Sequence, residues 1–379
     1  MGERKQRLFF VDNLRLAMIV LVVLVHASVT YSGVGNWYFK DLAPQGPVSL
    51  LVFILFQGTC QSFFMGLLFL LAGYYARASL LRKGGREFVL GRLTRLGLPS
   101  LFYMVVINPF IVHTLADIGG IGSRMTLSEY WISYMTGGYV LGGSGPMWFA
   151  VALLVFCLVY AALCAIRPPS GRQEARAFRP RMALGLILLC AAGSFLVRLR
   201  WPVGATVLNM QLCYFTQYVV FFILGLAAHK NDWLRTMDAG FGRLCLLSAA
   251  VGVVLFGVVA WSAMGAEGLE PYFGGPSWAS LFMTVWEAVL GVCISLGLIT
   301  LAREKWEKTG PLLKWLTDSA FAVYVFHSPL VVGLGRLLEP VQAPALAKCL
   351  LLGGLALPLS FGLAWIIRRT PLLRELVKA

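Results

Sequence analysis

Two histidines, a glutamate and two glutamines stand deep inside apolar runs, where polar and ionisable side chains are costly and rare. His26 lies in "FFVDNLRLAMIVLVVLVHASVTYSG" (9–33), eleven residues after Arg15. Eleven helical residues turn about 1,100°, about 20° past three full turns, so both side chains leave the same face. The rise of about 16 Å sets Arg15 at one rim and His26 near mid-depth. His327 in "AVYVFHSPLVVG", Glu287 in "FMTVWEAVLGV", and Gln57 and Gln61 in another run fall at comparable depth. Taken singly, His26 could simply bond a neighbouring helix and Arg15 could snorkel as an anchor. Four runs with polar groups at one depth point instead to a shared interior site, because groups buried there need one another.

Histidine is the natural general base or proton relay near neutral pH, and a carboxylate can orient it and stabilise its cation. Such a site suits proton removal from an acceptor hydroxyl during group transfer. It suits a proton-coupled secondary transporter as well. Neither a GxSxG elbow nor an HExxH pair occurs, which argues against a serine hydrolase or a zinc protease. Seven of the eight cysteines (Cys60, Cys157, Cys164, Cys190, Cys245, Cys293, Cys349) fall in apolar runs as small packing residues. No CxxC or Cys/His spacing appears, so no metal site is expected. Arg92 and Arg95, spaced RxxR in "ARASLLRKGGREFVLGRLTRLGLPS", share a face at i, i+3 and could clamp phosphates. Positive-inside anchoring and anionic-lipid binding are the plainer readings of that pair.

The elements that position these residues are membrane helices. Of the 379 residues 59% are hydrophobic and 13% charged, against about 25% charged in a soluble domain. Ten spans are predicted, at about 14–32, 48–75, 97–116, 146–166, 183–198, 213–229, 244–262, 279–302, 318–336 and 345–367. The fold class is therefore all-α, a polytopic helical bundle in one transmembrane domain over 1–379 with no separate soluble domain. The alternating short segments of an outer-membrane barrel are absent. "MGERKQR" followed by an apolar run resembles a signal peptide, but Asp12, Asn13 and Arg15 interrupt it, and a retained first span is expected.

Of the 32 Lys and Arg residues, all but Lys40, Arg124, Arg198, Arg200, Arg336 and Lys348 fall on one side of the predicted topology. That asymmetry predicts cytoplasmic termini. The net charge of +15 is thereby a topology signal, and no nucleic-acid partner is expected. The opposite loops near 33–47, 117–145 and 263–278 are rich in Gly and aromatics and are expected to fold back as lids or re-entrant pieces. Their Gly-rich stretches lack the strand-to-helix setting of a phosphate loop. His113, near the end of the third run, is read as structural. Trp148, after Gly145-Pro146, reads first as an interface anchor.

Together these residues resemble the acyltransferase-3 family of integral-membrane acyltransferases. Arg15 and His26 match its first-span signature of a basic residue, ten residues, then histidine. "QSFFMGLLFLLAGYY" is similar to its Phe-rich second span ending in Ser-Gly-Phe or Ser-Gly-Tyr, with Ala72-Gly73-Tyr74 here. Arg92 and Arg95 match its RxxR, "GPMWFAVALL" (145–154) its Trp-Phe segment, and "YVFHSPL" its late-span histidine motif. The resemblance runs from about residue 8 to 370, nearest the periplasmic glucan succinyltransferase branch, and no C-terminal esterase-like domain is expected.

The family implies transfer of an acetyl or succinyl group from cytoplasmic acyl-CoA to a hydroxyl of a glycan or similar acceptor, usually across the bacterial cytoplasmic (inner) membrane. Acyl-CoA is then a co-substrate, and no bound cofactor is implied. Arg15, Arg92 and Arg95 would meet the acyl-CoA. His26 would take the acceptor proton or carry the acyl group, with Glu287 and His327 orienting or relaying. Gln57, Gln61, Tyr74 and Trp148 are candidate pocket-lining residues. A transporter lacks support from any inverted repeat or matched pair of broken helices. A non-catalytic scaffold has no use for ionisable groups at mid-depth.

Overall fold

The computed structural model describes residues 7–168, 176–265 and 268–377. Ten of its helices are long and apolar enough to cross a membrane: Phe9–Ser32, Pro47–Lys83, Gly85–Leu115, Gly145–Ile166, Pro180–Arg198, Leu212–Asn231, Ala239–Met264, Trp278–Lys305, Pro311–Leu337 and Ala345–Arg369. We call them the first to tenth spans. In lipid the backbone must satisfy its own hydrogen bonds, so Val- and Ile-rich runs such as "MIVLVVLV" form helix despite their β preference in water. Proline opens several spans, where its missing N–H costs nothing, as at Pro47, Pro180 and Pro311.

The predicted order holds, but the helices run past the predicted ends, because hydropathy reads bilayer thickness rather than helix length. The second span, at 37 residues, is about 56 Å long, well beyond the hydrocarbon core of about 30 Å. Residues 77–95, expected as a loop, are thus helical except at Gly84, whose φ of 78° breaks the chain between two helices.

The third span runs through three π turns, at Leu93–Gly97, Tyr103–Ile107 and Ile111–Leu115, with Pro99 and Pro109 between them. A proline leaves the carbonyl four residues earlier without its helical donor. For Pro109 that carbonyl is Val105 O, and the Trp131 Nε1–H supplies a hydrogen bond at 2.8 Å. Tyr134 OH donates to Met104 O at 3.0 Å. Both donors sit on a short helix, Leu127–Thr136, started by a Thr126/Glu129 capping box. The 117–145 connection therefore splints this span.

The eighth span is the most enclosed, while the fifth and seventh are the most lipid-facing. The second and sixth spans cross almost backbone to backbone. A Cβ added at Gly73 would lie 2.2 Å from Phe222 O, and one at Gly225 2.0 Å from Leu70 O. This close approach explains the glycine of Ala72-Gly73-Tyr74 without reference to the missing serine hydroxyl. Gly73→Ala should cost about 1–3 kcal/mol by forcing the crossing apart. The check is thermal unfolding of the detergent-solubilised protein, with Gly85→Ala, where a Cβ meets nothing within 4 Å, as the control. Equal melting of both variants would refute the crossing as a packing constraint.

Candidate active site

The first and ninth spans pack together and bring His26 and His327 into direct contact, His26 Nδ1 to His327 Nε2 at 3.0 Å. His327 Nδ1 meets the Tyr324 carbonyl at 2.8 Å. A carbonyl only accepts, so Nδ1 of His327 carries a proton. In neutral His327 the other nitrogen then accepts, and the donor is His26 Nδ1–H. The chain of bonds leaves the Nε2 lone pair of His26 unused. That lone pair is open to accept a proton.

Neighbouring elements fix both rings. Trp37, in the segment after the first span, stacks on His26 with centroids 3.9 Å apart. His327 is fully buried and His26 only half so. The Tyr324 hydroxyl donates to Pro146 O, tying the ninth span to the turn that opens the fourth. Gly145, at φ 46°, passes so close to Tyr38 and Tyr103 that a Cβ would lie 2.3 Å from the Tyr38 hydroxyl. The Tyr38 hydroxyl donates to Asn108 Oδ1 at 2.6 Å. Burial, then the neighbouring Tyr103, pushes the Tyr38 phenol well above its ordinary range, so it stays a donor.

The segment that carries Trp37 and Tyr38 is bolted down. Asp41 pairs with the buried Lys348, and Ala345 N–H bonds Pro44 O at 3.1 Å. This far-side segment thus folds back over the histidines.

The expected single cluster around the histidines divides in two. Gln57 donates to Ser28 Oγ at 2.7 Å and Ser32 Oγ at 2.9 Å, on the helix of His26. Gln61, one turn on, donates to Tyr218 OH at 3.1 Å on the sixth span. Glu287, expected beside the histidines, forms an ion pair with Arg198 instead. Hydropathy ends the fifth span at Arg198 and assigns that arginine to the rim. Its guanidinium is in fact fully buried, and the carboxylate neutralises it there.

Trp148, half-buried at the start of its helix, stacks on Tyr218 at 5.6 Å. Tyr74 is buried against His229, ring centroids 5.1 Å apart, and packs far down the second span from Gln57. His113 bonds Met125 O at 2.9 Å and holds a loop.

The three arginines singled out by sequence gather at the basic end of the bundle. Arg92 lies within electrostatic range of both Arg95 and Arg15, with its guanidinium over the Phe88 ring at 5.0 Å. Arg15 and Arg95 are exposed, and Arg92 is half-buried. The π turn at Leu93–Gly97 splays Arg92 and Arg95 more than a plain i, i+3 pair. Among the described residues no group of three or more His, Cys, Asp or Glu is placed to hold a metal.

Sequence reasoning missed Trp37, Tyr324 and Arg198. Tyr324, three residues before His327, carried a usable signal, since a helix sets it one turn back. The Trp37 stack is checked by diethylpyrocarbonate modification. Trp37→Ala should raise the rate at His26 several-fold and leave His113 unchanged. An unchanged His26 rate would mean the indole does not cover the ring in solution.

The family model described as "Acyltransferase domain", of the acyltransferase-3 type, matches residues 8–369. The chain is similar to "Glucans biosynthesis protein C" of Escherichia coli O17:K52:H18, 24% identical over 349 residues, covering 88% of this chain and 85% of that protein. The protein of the same description in E. coli O6:K15:H31 is 23% identical over 350 residues, with 88% and 85% covered. No solved structure matches the chain.

Proposed function

The chain belongs to the acyltransferase-3 family and is a membrane acyltransferase, and from that premise we propose that it moves an acetyl or succinyl group from acyl-CoA to a hydroxyl of a glycan or similar acceptor. We place it in a bacterial cytoplasmic membrane with its basic face inward, as the loop charges favour.

The observation that carries this reading is the hydrogen-bonded His26–His327 pair with His26 Nε2 left open. In the proposed step the acceptor O–H gives its proton to His26 Nε2 while its oxygen attacks the thioester carbonyl carbon. The tetrahedral centre collapses, the C–S bond breaks, and the CoA thiolate takes the proton from His26 Nε2. The products are an O-acyl ester and free CoA thiol. During the step the imidazolium of His26 is held through Nδ1–H by His327, and His327 in turn by the Tyr324 carbonyl. Positioned base catalysis of this kind contributes about 10²–10⁴-fold.

The exposed arginines fit the CoA phosphates, for which a guanidinium provides a planar array of donors. Arg15 and His26 stand about 16 Å apart along one helix. An extended pantetheine arm spans such a distance, so phosphates at the rim and thioester at the histidine are compatible. The glucan-related description of the relatives makes a glycan the favoured acceptor.

Two measurements test this. Release of free CoA thiol in the presence of acceptor should fall about 10²–10⁴-fold in His26→Ala. A well-folded His26→Ala protein with full activity would sink the base assignment. Charge reversal at Arg92 and Arg95 should raise KM for acyl-CoA at least tenfold and change kcat little. Unaltered donor kinetics would remove the phosphates from that end of the bundle.

A further inference from the structure

Arg198 is a guanidinium with no solvent exposure in the far half of a membrane bundle, and it is only partly used. Its Nη2 bonds Glu287 Oε2, while Nε and Nη1 have no hydrogen-bond partner in the protein. Leaving a buried donor unpaired costs about 1–3 kcal/mol, and more on a charged group. The Tyr214 ring presents a face to the guanidinium at 5.3 Å, and the Cys213 thiol lies beside it. A structural ion pair alone leaves these open donors unexplained.

Around the pair runs an aromatic row. Tyr214 adjoins Tyr218 at 6.4 Å, and Tyr218 stacks on Trp148 at 5.6 Å. Trp148 is half-buried, so its indole is not wholly enclosed. Gln61 reaches Tyr218 from the helix turn next to Gln57, which bonds Ser28 and Ser32 on the helix of His26. One face of the second span therefore joins the Arg198 cluster to the histidine site. The main chain of Arg198 accepts from Gly275 N–H at 3.2 Å, which puts the cluster under the far-side loops.

We infer that Arg198, held by Glu287 against Tyr214, binds hydroxyl groups of a glycan acceptor inside the bundle. This rests on the proposed transferase reading and adds an acceptor subsite to it. Open N–H donors beside a carboxylate and aromatic rings are the chemistry that holds a sugar: hydroxyls both accept and donate, and C–H faces lie on rings. Charge decides between this ligand and the carboxylate of a succinyl group. The ion pair already neutralises Arg198, so a second carboxylate would leave a net negative charge buried in low dielectric. A polyol adds no charge and still fills the open donors.

The test uses full-length protein in lipid nanodiscs and the conservative variant Arg198→Lys. Lysine keeps the positive charge for Glu287 but lacks the additional guanidinium donors. Binding of a soluble gluco-oligosaccharide is followed by tryptophan fluorescence, and acyl-CoA binding is measured separately. The expected result is oligosaccharide affinity at least about tenfold weaker in Arg198→Lys, with acyl-CoA affinity unchanged. Trp148→Phe, which leaves the ion pair in place, should weaken the oligosaccharide in the same direction.

Equal oligosaccharide binding by wild type and Arg198→Lys, or none by wild type, overturns the subsite. Acyl-CoA binding by the same wild-type sample then shows whether the transferase reading survives. A variant that loses preference between succinyl-CoA and acetyl-CoA while holding oligosaccharide normally also overturns it, and assigns Arg198 to the donor. Should Arg198→Lys fail to fold, Trp148→Phe with unaltered oligosaccharide binding has the same overturning force.

Discussion

A polar group inside a bilayer has to find its partner within the protein, and the rest of this structure follows from that constraint. Where the main chain releases a carbonyl at Pro109, a tryptophan on a separate helix comes to meet it. Where the second span carries glutamines, serines and a tyrosine from two other spans receive them. Each such bond joins two helices at a stated depth, so the polar residues set the register of a bundle whose apolar packing would tolerate sliding. The backbone crossing at Gly73 and Gly225 adds a steric version of the same control.

The constraint also sets proton positions. The order Tyr324 carbonyl, His327, His26 is a one-way chain because its first member cannot donate. An isolated histidine in lipid would be free to choose its tautomer. Here the choice is made two hydrogen bonds away, by a main-chain oxygen that does not titrate. The Tyr324 side chain is occupied elsewhere, on Pro146, which ties that oxygen's helix to the start of the fourth span. The motif-like segments around 145–154 and 322–330 are therefore two halves of one support.

Much of this was legible in the sequence, for a physical reason. Hydropathy measures the fit of a segment to a fixed thickness, so ten spans could be counted, and the period of a helix put Arg15 and His26 on one face. Depth along a span is readable; direction around the bundle is not. Glu287 and His327 were placed at like depth, yet Glu287 turns to Arg198 and only His327 meets His26. Arg198 was lost because a charged residue at the end of an apolar run looks like a rim anchor. Trp37 lies in a connection with no period to read, and only its fold-back through Asp41 and Lys348 brings it over the histidine.

Charge is graded through the bundle in a way that suits the two substrates of the proposed reaction. The cationic cluster of Arg15, Arg92 and Arg95 sits at the rim, two of its three members exposed, where highly charged phosphates can keep part of their water. Deeper in, the histidines form a bonded pair with no carboxylate between them, and the buried guanidinium of Arg198 near the far side is already neutralised by Glu287. In the proposed reaction the anionic donor would take one end and a neutral hydrogen-bonding acceptor the other. There an acceptor hydroxyl would meet His26 beside the Trp37 indole, which covers one face of the ring. Water is the competing nucleophile for any thioester, so an indole that shields one face of the base favours transfer over hydrolysis.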